Sequence, residues 1–177
     1  DDGGLELSDP APDPQAADLE LDARQAEAAA LAVRGVSQID SASASFSRRR
    51  MHLAASNGFS GGYARSSRSI SAVAITGEGT AMERDWAAEA RAWQSDLPSS
   101  DEIGRLAGER AVALAGARKT RTGRFPVLFD ERISASLIGH LLAAANGSAI
   151  VRGASWLRDA LGSQVLPPGL DLIEEPH

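Results

Sequence analysis

The 177-residue sequence predicts an α+β fold: an antiparallel β-meander with packed helices, followed by the start of a second, mostly β domain. Three observations predict it. Apolar and polar residues alternate with period two between about residues 35 and 90, as in Ser43, Ser45 and Ser47 against Ala44 and Phe46, and Ile70, Ala72 and Ala74 against Ser71, Val73 and Ile75. Asn57-Gly58 interrupts that run with a dipeptide suited to the positive φ of a tight hairpin. Segments with helical spacing and capping residues flank the run on both sides.

Taken in order, residues 1–17 are acidic and carry Pro10, Pro12 and Pro14, which predicts a flexible segment. Asp18 is placed to cap a helix near 18–33, where Leu19, Ala23, Ala26, Ala30 and Leu31 share a side. Strands are expected near 38–56, 59–67, 69–76 and 80–90, with a second reversal at Gly77-Glu78-Gly79. Ser99-Ser100-Asp101-Glu102 reads as a capping box, and Ile103, Leu106, Ala107 and Leu114 mark the face of a helix ending near Ala115. Residues 18–119 are therefore expected to form one α/β domain with an antiparallel sheet, and 124–177 the incomplete beginning of another. In the latter, Phe125 to Phe129 reads as a short buried strand, and Asp130 as the cap of a helix bearing Leu137, Ile138, Leu141, Leu142 and Ala145. Asn146-Gly147 reads as a positive-φ stop, Ser155 to Leu161 as a short helix and Leu170 to Ile173 as a closing strand.

Cysteine is absent, which excludes a disulfide frame or thiolate metal site and fits a reducing compartment, so a cytoplasmic location is expected. No stretch approaches the roughly 18 to 20 apolar residues of a membrane span. Beginning on Asp1 and stopping at His177, the sequence reads as an internal piece of a longer protein. Formal charge is −6 but uneven: residues 1–33 hold nine acids against Arg24, whereas residues 41–77 hold Arg48, Arg49, Arg50, Arg65 and Arg68 and no acid. Such a run attracts an anionic partner or forms a solvated strand face, the latter being the expectation.

Other chemistries find little support. Serines, His140 and Asp130 offer the residue types of a serine hydrolase, but no Gly-x-Ser-x-Gly elbow occurs. Gly58-x-x-Gly61-Gly62 and Gly77-x-Gly79 lack the lysine and the strand-loop-helix setting of a phosphate loop. Asp130-Glu131 and Glu174-Glu175 are adjacent pairs that diverge rather than converge on a substrate. Trp86, Trp93 and Trp156 read as packing anchors. The arginines lack aromatic stacking motifs, so a nucleic-acid partner is not expected.

Several stretches in order, Ser56-Asn57-Gly58-Phe59, Ser67 to Ala74, Met82 to Asp85, Asp96-Leu97 leading to Ile103-Gly104, Pro126 to Asp130, Ala149 to Leu157, Leu161-Gly162 and Leu170 to Pro176, resemble the TldD/PmbA family, "modulator of DNA gyrase" proteins. The resemblance points to the PmbA (TldE) branch. It implies an N-terminal α/β domain of the TldD/PmbA type joined to a mostly β C-terminal domain, and a paired assembly acting as a zinc peptidase on unfolded peptides. The family often shows paired aspartates where this chain has Glu174-Glu175 before Pro176.

TldD-type chains carry His-Glu-x-x-x-His on a helix, with imidazoles to hold zinc and a carboxylate to deprotonate its water. Anchored on Asn146-Gly147, the matching positions here are Ile138, Gly139 and Ala143, none of which ligates or titrates. His140 is the only histidine between residues 53 and 176, and reads as a half-buried helix residue; His52 reads as solvent-facing and His177 as terminal. No catalytic, cofactor-binding or metal residue is therefore expected in this chain. The resemblance implies a catalytically inactive subunit whose TldD-type partner carries the zinc, the two enclosing an unfolded peptide; backbone hydrogen bonding then leads us to expect that the extended peptide adds to a sheet edge of the meander. Taken alone, such a subunit is expected to pair with a second copy of itself; a stand-alone regulatory binding module of the gyrase-modulator type and a peptidase completed by ligands beyond residue 177 are the alternatives.

Overall fold

The computed structural model describes residues 5–173. It divides into two units, one up to Lys119 and the other from Thr120. The first runs α1 (Ala16–Leu31), β1 (Val36–Ala54), β2 (Ser60–Thr76), β3 (Glu83–Arg91) and α2 (Ser100–Ala113). The strands form one antiparallel sheet in the order β1-β2-β3, so the expected α+β meander is present. It has three strands rather than four. The anticipated break near Arg68 does not occur, because Asp22 on α1 accepts from the Arg68 guanidinium and lets β2 pass through it unbroken.

Both helices pack on one face of the sheet, where β2 presents Ser66, Arg68, Ile70, Ala72, Ala74 and Thr76 in strict alternation, all buried. Ala26 and Ala30 of α1, Ala87 of β3, and Ile103, Ala107 and Ala111 of α2 complete the core. The side chains are small because the helices nearly touch. A Cβ built on Gly104 would stand 2.1 Å from the Ala26 carbonyl oxygen, and one on Gly108 2.8 Å from Val33 Cγ2. The polar members are mostly satisfied: Thr76 Oγ1 donates to the Gly35 carbonyl at 2.7 Å, and Asp22 Oδ1 accepts from Ser100 Oγ at 3.1 Å.

Helix α2 starts as its sequence suggests. Ser99 Oγ accepts from the Glu102 amide at 3.2 Å, and the Glu102 carboxylate takes the Ser99 amide at 3.1 Å. That amide, with the Ser99 hydroxyl, holds the Glu102 carboxyl below the usual carboxylate range. Helix α1 starts earlier than expected, at Ala16; Asp18 sits inside its first turn and accepts from the Gln15 amide at 2.8 Å. The β1–β2 turn has only Gly58 at positive φ, +90°, with the Gly58 amide donating to the Ala55 carbonyl at 3.1 Å. Asn57 instead uses its side-chain oxygen, which accepts from the Phe59 amide.

The second unit departs further. It contains α3 (Glu131–Ala145) and α4 (Gly147–Val151), and no strand among the described residues. Asp130 caps α3 by accepting from the Arg132 amide at 3.0 Å. Asn146 sits at φ −61° and caps α4 through the Ser148 amide, so the chain re-enters helix where a positive-φ stop was expected. Phe125–Phe129 is neither strand nor buried, Leu128 being 98% exposed, because no neighbouring strand takes its backbone groups. Ser155–Leu161 forms turns rather than a helix, since Ser155 Oγ spends itself on the Ala144 carbonyl and the Leu157 amide. Leu170–Ile173 is not a strand either, and its first amide closes a turn to Pro167. Trp86 and Trp156 are exposed rather than core residues, Trp86 standing on the sheet face opposite the helices.

The helix crossing gives the first prediction. Gly104→Ala lowers stability by on the order of 1–3 kcal/mol, because the new methyl meets backbone that cannot step aside. Thermal unfolding checks it, with Gly139→Ala as the control, since a Cβ there meets nothing within 4 Å.

Candidate functional site

The site follows from unequal strand lengths. The last β2–β3 pair is Arg68 with Arg91, whereas the β1–β2 ladder continues to Ala54 with Ser60. Beyond Arg68 the sheet is thus a two-stranded ribbon. Its Phe59 carbonyl accepts from Ala55 on the β1 side, while the Ser66 amide points the other way. Alternation then aims the amide and carbonyl groups of Ser60, Gly62 and Ala64 into the lane β3 would occupy if it were longer. Among the described residues no backbone hydrogen bond is made to them there.

One end of this lane is closed by the acidic N-terminal segment, the part of it within the described residues being tethered rather than flexible. Leu7 carbonyl accepts the Ser66 amide at 3.0 Å, and the Asp9 amide donates to Ser66 Oγ at 2.7 Å. Ser66 Oγ in turn donates to the Ala92 carbonyl at 2.8 Å, and Trp93 Nε1 to the Glu6 carbonyl at 2.8 Å. Arg48 clamps the same strap: Nε to Asp13 at 2.8 Å, Nη1 to the Asp9 carbonyl at 2.8 Å and Nη2 to the Ala11 carbonyl at 3.0 Å. Asp9 is buried, and the Gln94 and Ala11 amides that its carboxylate accepts hold its pKa below the ordinary range.

The arginine run is therefore not a uniform solvated face. Arg68 is buried against Asp22, with its Nε left without a hydrogen bond. Arg48 holds the strap. Arg49 and Arg65, directly opposite each other, are exposed, as is Arg50. The ribbon also exposes Met51, Leu53, Phe59 and Tyr63, and all four line a hollow of about 370 Å³ with His52 and Gly61-Gly62. His52 is solvent-facing as expected, its Nε2 3.1 Å from Ser60 Oγ.

On α3 the positions singled out from the sequence present Ile138 half-exposed, Gly139 with open space around it, and Ala143 exposed. His140 is exposed rather than half-buried, because only Ala144 of this helix is covered. No lone pair is available from these side chains at 138, 139 or 143. Among the described residues no three His, Asp or Glu side chains converge as a metal would require. The residues present do not fit a zinc ion. Glu174, Glu175, Pro176 and His177, and residues 1–4 of the acidic segment, lie outside the described residues.

Residues 8–115 match the family model described as the PmbA/TldA metallopeptidase central domain, and residues 122–177 match that of the C-terminal domain. The chain belongs to the PmbA/TldD metallopeptidase family. The sheet domain, read from the sequence as N-terminal, corresponds to the family's central domain. Among its relatives, Metalloprotease PmbA of Escherichia coli O157:H7 is 31% identical over 159 residues, covering 90% of this chain and 35% of that protein. The PmbA homolog of Haemophilus influenzae is 32% identical over 122 residues, 69% of this chain and 27% of that one. A solved structure of a proposed modulator of a DNA gyrase from Thermotoga maritima superposes with a TM-score of 0.82 at 19% identity, over 90% of this chain and 37% of that one. Another, from Bacteroides thetaiotaomicron, gives 0.74 at 26% identity, over 89% and 36%. The chain spans about a third of the length of the relative with the longest match.

The strap yields a pH prediction. A carboxyl depressed in the folded state contributes stability above its unfolded pKa, and that contribution is lost as pH falls through the folded value. Asp9→Asn, which sets a donor against the Gln94 or Ala11 amide, lowers the thermal midpoint at pH 7 and shrinks the loss seen below about pH 3.9. Parallel melting curves from pH 7 to pH 2.5 measure both.

Proposed function

We propose that this chain is part of a PmbA-type subunit that carries no metal of its own, pairs with a zinc-bearing TldD-type subunit, and helps enclose unfolded peptides for hydrolysis. The observation that carries this reading is the replacement of the family's two imidazoles and carboxylate by Ile138, Gly139 and Ala143 on α3. A water molecule is not activated by such a helix, so the partner supplies the metal and this subunit supplies surface. Family membership supports the peptidase context, and the ribbon's open lane supports a role in holding an extended chain, whose backbone offers the same hydrogen bonds whatever its sequence. No helix among the described residues is long and apolar enough to cross a membrane, and the proposed setting is the cytoplasm.

The test uses the full-length protein, alone and mixed with a TldD-type chain of the same source. Purified alone it holds far less than one zinc per chain and leaves an unfolded peptide intact; with the partner, the peptide is cleaved. Stoichiometric zinc together with cleavage by the protein alone overturns the proposal.

A further inference from the structure

We infer that the open lane of β2, from Ser60 to Arg65, is a docking site for an extended acidic peptide that pairs with the strand backbone and sets its carboxylates against Arg49 and Arg65. The inference deepens the proposed function, on which it rests only for the origin of the peptide.

The protein already shows this mode of binding once. Its own strap is acidic, and it enters the same lane at Ser66, giving a carbonyl to the strand amide and a carboxylate to an arginine. Past that point the lane continues unfilled among the described residues. The amides and carbonyls of Ser60, Gly62 and Ala64 present a ladder that takes roughly five or six residues at about 3.3 Å each. An unpaired strand edge is normally protected by a charge, a proline or a covering loop. This one carries a single charge, Arg65, at one end, and its Gly61 and Ala64 are small enough to leave room for an added strand.

The charges select the peptide. Arg49 and Arg65 face each other across the ladder, a like-charge pair that destabilises a sheet and that a carboxylate brought beside Arg65 on the lane side relieves. The neighbouring pair shows the usual remedy, Arg68 taking Asp22 and Arg91 taking Glu89. Among the described residues Arg49 and Arg65 have no such carboxylate, and residues 41–77 contain none to offer. Met51 and Tyr63 lie beside them on the same face, with Tyr63 Oη 3.5 Å from Met51 Sδ. An apolar peptide residue two positions from a carboxylate, and so on the same face, meets this surface.

The experiment measures binding by fluorescence anisotropy on the full-length protein without any partner subunit, so hydrolysis plays no part. The probe is a labelled, unstructured ten-residue peptide whose alternate positions carry Glu and Leu in turn, with Ser at the positions between, so that Glu and Leu share one face; a Gln-for-Glu version and a ten-nucleotide oligothymidine are the comparators. The acidic peptide binds about tenfold more tightly than the Gln version, and the preference weakens as salt rises. Ala64→Pro removes an amide that faces the lane and no bond of the β1–β2 ladder, and weakens both peptides. Arg49→Ser combined with Arg65→Ser removes no backbone group, keeps the fold, and abolishes the preference for Glu over Gln. Equal binding of the two peptides, parent-like binding by folded Ala64→Pro, or displacement of the peptide by oligothymidine at equal concentration overturns the inference. Peptide binding without hydrolysis by the paired subunits would defeat the proposed function and leave this site standing; the reverse pattern would do the opposite.

Discussion

The constraint on which the rest depends is that β3 stops at Arg91 while its neighbour β2 extends back to Ser60. Backbone donors and acceptors left at a strand edge must go to solvent, to another part of the chain or to a partner. At Ser66 the chain uses itself. The strap brings a carbonyl and a carboxylate there, and the turn after β3 adds the Ala92 carbonyl. Farther along, no described residue fills the role, and the two-stranded ribbon carries its arginines and apolar side chains into the open.

How the ribbon is held follows from the core behind it. Strand β2 keeps a single phase from Ser66 to Thr76, so every second residue is buried whether apolar or not. Alanine and glycine allow α1 and α2 to approach the sheet and each other closely, which favours many weak dispersion contacts over a few large side chains. The polar residues sit at the ends of this buried run, and each links two elements. Thr76 ties β2 to the α1–β1 turn, Arg68 reaches Asp22 on α1, and Ser66 joins the strap to the loop after β3. The covered and open halves of the hairpin meet at Arg68 and Ser66.

Much of the sheet domain is legible in the sequence because its signals are local. Period-two alternation, Gly58, Gly77-Glu78-Gly79 and the Ser99–Glu102 box each act within a few residues, and the structure uses them all. The four-strand reading fails because the chemistry that buries Arg68 lies on α1, far away in the sequence; yet Arg68 and Ser66 share the phase of Ile70, Ala72 and Ala74, and that phase was the available signal. The strap was hidden for a similar reason. Prolines and acids suggest mobility, but Arg48 and Ser66 supply distant partners. In the second unit, Phe125–Phe129 and Leu170–Ile173 have strand-like composition without a strand to pair with among the described residues, and composition does not form a ladder. Of the candidate site, the arginine run and the absence of acids were visible at once; the length difference that gives them a lane was not.

Amide hydrogen exchange along β2 in the full-length protein tests the central claim most directly. The account predicts slow exchange at Tyr63 and Arg65, which face β1, and at Ser66, which the strap closes, with fast exchange at Gly62 and Ala64 between them. Uniform protection from Gly62 through Ser66 would show that something already fills the lane and would contradict it.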